Sequence, residues 1–189
     1  NLTMDKAESL MQEHPKDALA LLDSLKKHPM ASKAENARLA LLYSMALDKN
    51  YIDVTDDSLI CIAENWYSKK TGTREKFLSL YYKRVVNKNA KKYPEAITAF
   101  SRAQKLENEI GDSYLLGQLY NQMGYIYMKH YNHIKSLDAF SKAHYLYEIS
   151  RKENHKNYML MNIAGSYWNM GDYANSEKYY RKAIKKKKK

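Results

Sequence analysis

Residues 120–143 read YNQMGYIYMKHYNHIKSLDAFSKA, and the second half of that stretch decides the fold. Ser136, Phe140 and Ala143 fall at i, i+4 and i+7, which sets a small, an aromatic and a small residue on one stripe of a helix. The triplet returns on either side as Ala96-Phe100-Ala103 and Ser176-Tyr180-Ala183, and fainter rungs at Ala18 and Ser58 extend the ladder, with steps of 40, 38, 40 and 40 residues. A period of this length marks a solenoid, whose repeats bury their apolar faces only against neighbours. Function in such a chain lies on a surface.

Working outward, the apolar periodicity predicts an all-α solenoid of about five antiparallel helix pairs. Helices are expected over 3–13, 15–26, 31–47, 55–69, 73–90, 93–110, 112–130, 133–150, 153–170 and 173–186, grouped into units near 1–28, 29–70, 71–110, 111–150 and 151–189. Pro15 and Pro94 suit first-turn positions that need no backbone donor, and Thr55 and Asp112 are placed as N-caps. Gly111 and Gly171 fit helix ends, where left-handed geometry costs glycine little.

Composition narrows the classes. Of 189 residues 44% are hydrophobic, enough for a core without metal or disulfide staples, and with six Gly and three Pro no linker interrupts a single array over 1–189. The lone Cys61 excludes an intramolecular disulfide and reads as packing. Five charges of the net +11 sit in the run Lys185–Lys189, so the excess elsewhere is mild and nucleic-acid binding is not favoured. Asp53, Asp56 and Asp57 read as capping residues rather than a calcium loop, and His130-x-x-His133 lacks a third metal ligand. No phosphate loop, dinucleotide fingerprint or H-E-x-x-H motif is present, and no catalytic constellation is visible, so neither enzymatic activity nor a cofactor is expected.

Tyr120, Met123-Gly124 and Tyr127, followed by Ser136 and Phe140, resemble the tetratricopeptide repeat pattern of aromatic, Leu-Gly, Tyr, small, aromatic. Leu160, Ile163-Ala164, Tyr167, Gly171-Asp172-Tyr173, Ser176, Tyr180 and Ala183 repeat it. The resemblance implies a right-handed superhelix in an extended variant of about forty residues per repeat, similar to that of bacterial peptide sensors and regulators. In its logic Gly124 and Ala164 let paired helices touch, and Phe140 and Tyr180 fill the space between pairs. The third pair departs from it: Arg84 stands at the close-approach position and Asn87 at the tyrosine position, so the Arg84 guanidinium is expected to snorkel outward or to force the helices apart.

Tetratricopeptide grooves are lined by the first helix of each pair. Carried onto this chain, the resemblance implies a concave protein- or peptide-binding face bearing Tyr81, Gln118, Asn121, Tyr125, Met128, Tyr158, Met161 and Trp168. The Lys/Asn/Arg clamp for a chain-terminal carboxylate is not reproduced. Self-association is the alternative, because the helix after Tyr173 carries Tyr179, Tyr180 and Ile184 without a following helix to cover them. Met45 to Val54 resembles the N-terminal part of exported tetratricopeptide proteins of Bacteroides-like bacteria. That resemblance implies a periplasmic or cell-envelope location, with a cytoplasmic one as the alternative, and any membrane anchor outside these residues.

Overall fold

The computed structural model describes residues 1–70 and 73–185; the end of the last expected helix, Lys186, and the rest of the basic tail lie outside them, as do residues 71 and 72. Ten α-helices are present among the described residues: α1 (Leu2–Leu10), α2 (Pro15–Lys26), α3 (Lys33–Lys49), α4 (Ser58–Tyr67), α5 (Thr73–Asn89), α6 (Tyr93–Gln104), α7 (Ser113–Lys129), α8 (His133–Ile149), α9 (Glu153–Asn169) and α10 (Tyr173–Lys185). A 3₁₀ turn at Glu107–Glu109 takes the place of the expected last turn of α6. Asp112 caps α7 as expected, accepting the Tyr114 and Leu115 amides at 2.9 and 3.1 Å. Thr55 does not cap α4. The Asp56 carboxylate serves there instead, accepting the Ser58 amide at 3.1 Å and its hydroxyl at 2.6 Å.

The repeat is written most clearly in the first helices of the second to fifth pairs. α3, α5, α7 and α9 each have 17 residues. They end in left-handed residues spaced forty apart: Tyr51 (φ 59°), Lys91 (60°), Tyr131 (58°) and Gly171 (79°). At each, the following amide reaches back across the last turn: Ile52 donates to the Leu47 carbonyl at 3.0 Å, Lys92 to Asn87 at 2.8 Å, Asn132 to Tyr127 at 2.9 Å and Asp172 to Tyr167 at 3.0 Å. This is the Schellman closure, satisfying carbonyls that a helix end leaves orphaned. Three of the four turns form without glycine.

The chain divides into two compact units, Asn1–Glu109 and Ile110–Lys189. In the first, consecutive helices pack over a core that includes Met4, Leu22, Ile60 and Phe77. Arg38 joins α3 to α1 through Asp5 at 2.7 Å and Glu8 at 2.9 Å, and Arg74 of α5 reaches the same Glu8 at 3.2 Å. In the second unit α7 to α10 pack in chain order around Leu119, Phe140, Tyr147 and Met159. Gly124 meets Phe140 so closely that a Cβ would stand 2.4 Å from the ring, and Gly117 meets Tyr147 at 2.8 Å in the same sense. Ser136 of α8 and Ser166 of α9 share a buried hydrogen bond of 3.2 Å.

Two departures are confined to the first unit. Ser58, read as a rung of the ladder, is exposed; the inward residues of α4 are Ile60, Ala63 and Glu64, which repeat the spacing of Ala96, Ala99 and Phe100. The buried carboxylate of Glu64 thus stands where a phenyl ring stands in later pairs. Burial opposes its ionisation, but hydrogen bonds from Lys83 (2.7 Å) and Arg102 (2.6 Å) prevail and hold its pKa below the usual range. Arg84, in turn, does not snorkel. It is 6% exposed, with its guanidinium carbon 5.8 Å from the Phe100 ring centroid and within the field of Asp48. A cation lying on an aromatic face therefore replaces the glycine–phenyl contact seen between Gly124 and Phe140.

Candidate interaction surface of the second unit

α7 and α9 present the residues expected of a recognition face, and a polar knot binds them. The Tyr125 ring packs edge-on against Phe140, with centroids 5.2 Å apart, so the core fixes its orientation. Its hydroxyl accepts from Asn162 Nδ2 at 3.0 Å and donates to the Tyr158 hydroxyl at 3.2 Å. Desolvation first, and the Tyr158 hydrogen bond second, push the Tyr125 pKa up to about 12. Tyr125 is neutral at physiological pH, with its one hydroxyl proton engaged by Tyr158 and its oxygen by Asn162.

Around that knot Tyr158 is 51% exposed and Met161 lies exposed one turn along α9. Gln118 is half-buried, donating to the Tyr114 hydroxyl at a long 3.4 Å, and Met128 is half-buried on the last turn of α7. The Asn121 side-chain oxygen is enclosed with no hydrogen-bond partner, an unmet acceptor on the same helix. Gly165 leaves open space where its forty-residue counterpart Tyr125 carries a ring, so α9 exposes bare backbone there.

Trp168, 59% exposed, belongs with a second group. Its ring packs edge-on against Tyr173 at 4.9 Å, and the two line an open hollow of about 590 Å³ with Tyr180, Arg181 and Ile184 of α10. Seven of the eight expected residues therefore lie on α7 and α9 of this unit. Tyr81 lies elsewhere: it is 8% exposed in the core of the first unit, stacked on Phe77 and edge-on to Tyr82.

Asn162 escaped the sequence reading, and Tyr173 entered it only as part of the repeat pattern. Asn162 is one residue off the stripe that phase selected, and only the hydroxyl of Tyr125, 37 positions away, reveals its role. Among the described residues no three His, Cys, Asp or Glu side chains converge as metal ligands do; His133 packs edge-on against Tyr131 at 6.2 Å. No helix there is long and apolar enough to cross a membrane.

Among the described residues, helices packed in chain order and a helix-end turn recurring every forty residues define an all-α helical-repeat fold. Residues 158–187, most of α9 and α10, match the family model for the tetratricopeptide repeat. That match covers one repeat, and repeats of this kind generally serve as scaffolds for protein–protein interaction. No curated protein matches the chain at a significant level.

Proposed function

We propose that this chain is a non-enzymatic scaffold or sensor domain that binds a peptide or extended protein segment on the α7–α9 face of its second unit. The observation that carries this reading is the Tyr125–Asn162–Tyr158 knot, which orients a tyrosine and leaves Tyr158 and Met161 exposed beside it. Aromatic side chains give contact area at little conformational cost, and methionine adapts to irregular partners. Tyr81 takes no part, being committed to packing. Peptides selected by display on the immobilised chain should bind the Tyr125→Ala and Trp168→Ala variants more weakly by about 1–3 kcal/mol each, the range of interface hot spots. Equal affinity for both variants, with thermal unfolding unchanged, would sink the assignment.

One further observation favours self-association as a second reading. Tyr173, Tyr180 and Ile184 leave an apolar face on α10 exposed. Sedimentation equilibrium tests it: a dimer that Tyr180→Lys or Ile184→Lys dissolves supports this reading, and a monomer at all concentrations rejects it.

A further inference from the structure

A second recessed surface lies in the first unit, along α3 and α4, and its chemistry is different. Two adjoining hollows of about 490 and 580 Å³ share Lys33, Asn36 and Ile62 as a common wall. Tyr43 lines the first hollow and Trp66 the second. Lys26 and His28 line the first hollow and Lys69 and Lys70 line the second, whereas no carboxylate among the described residues lines either.

Two of the four cations rest on aromatic rings. Lys26 Nζ sits 4.6 Å from the Tyr43 ring centroid, and Lys70 Nζ sits 4.6 Å from that of Trp66. The neighbouring acids each hold a hydrogen-bond donor of their own. Asp23 accepts the Tyr43 hydroxyl at 2.6 Å, Glu35 accepts the Ala31 amide at 3.1 Å, and Glu64 is buried between Lys83 and Arg102. Among the described residues none of Lys26, Lys33, Lys69 and Lys70 forms an ion pair.

We propose that this groove docks an acidic peptide segment carrying one apolar side chain. Four like charges in one recess raise its potential and draw an anionic chain, and a bound carboxylate relieves their mutual repulsion. Ile62, 39% exposed in the shared wall, offers an apolar seat between the cationic ends. From Lys33 to Tyr43 the helix rises ~15 Å, the span of roughly four to five extended residues. This surface is independent of the α7–α9 face.

Fluorescence anisotropy on the whole chain tests it with two labelled heptapeptides, one of Asp and Glu around a central Leu, the other its Asn/Gln counterpart. The acidic peptide should bind at least roughly tenfold tighter than the amide form, and lose at least roughly tenfold in the Lys33→Glu/Lys69→Glu variant. The same charge change at Lys178→Glu/Lys182→Glu, outside the groove, should leave affinity within about twofold; an equal loss there would reveal bulk charge attraction and overturn the proposal. Equal affinity for the two peptides would overturn it too, as would tighter binding of a single-stranded oligonucleotide. So would a dimer that Lys33→Glu/Lys69→Glu dissolves, since a second copy would then be the occupant. Lys33→Ala/Lys69→Ala, which adds no charge, guards against misfolding of the reversal variant and should weaken the acidic peptide in the same direction.

Discussion

Gly124 and Gly165 stand in the same α-helical conformation for opposite reasons. A methyl group at Gly124 would lie 2.4–2.8 Å from three atoms of the Phe140 ring, whereas one at Gly165 would meet nothing within 4 Å. Gly124→Ala should therefore destabilise by about 1–3 kcal/mol through overpacking, and Gly165→Ala should stabilise by roughly 0.8–1 kcal/mol through helix propensity. Urea denaturation of both variants checks the contrast; a gain in the first or a loss in the second would contradict it. At Arg84 the position has changed its chemistry. Truncation to Ala should cost on the order of 2–4 kcal/mol, because it empties a buried site and strips the half-buried Asp48 of a counter-charge, while Arg84→Met should retain much of the packing. The repeat phase located Arg84 correctly but could not reveal that Phe100 would lie beneath it. Tyr125 adds a pH dependence of definite sign. Its folded-state pKa is raised to about 12, so its contribution is whole below the unfolded value near 10 and is lost as pH rises from there toward 12. Tyr125→Phe should lose less stability than the parent over that window when thermal unfolding is followed from pH 9 to 11.5.

Among the elements, the helix-end turns carry the repeat most faithfully. The Schellman closure recurs at Tyr51, Lys91, Tyr131 and Gly171 although only the last could be read as a left-handed stop from its identity. Tyr51 is almost wholly exposed, so its side chain contributes little packing against the strain of a positive φ. Tyr51→Gly should raise stability by about 1 kcal/mol, measured by chemical denaturation; a loss would mean that the tyrosine makes a contact the fold needs. Other elements were harder to read. Pro15, Pro94, Asp112 and Gly171 announced helix ends because their chemistry is local, while the register of α4 was misread at Ser58 because its inward residue is a glutamate. A buried Glu64 becomes comprehensible only once Lys83 and Arg102 arrive from α5 and α6.

At the scale of the whole molecule, the helical-repeat class was legible because the triplets at Ala96, Ser136 and Ser176 depend on spacing alone. The division into two compact units was not, since no Gly- or Pro-rich break marks Glu109 and Ile110. Of the candidate surface, the resemblance places Tyr125, Tyr158 and Met161 on one face of their helices, and a hydrogen bond joins Tyr125 to Tyr158. The partner that organises them, Asn162, required three dimensions. Hydrogen exchange read by mass spectrometry, on the whole chain with and without a peptide selected from a display library lacking Asp and Glu, tests the proposed recognition face most directly. If the α7–α9 face is where partners bind, exchange should slow over 118–128 and 158–168 when the peptide is added. Unchanged exchange in both segments, with slowing confined to the first unit, would contradict it.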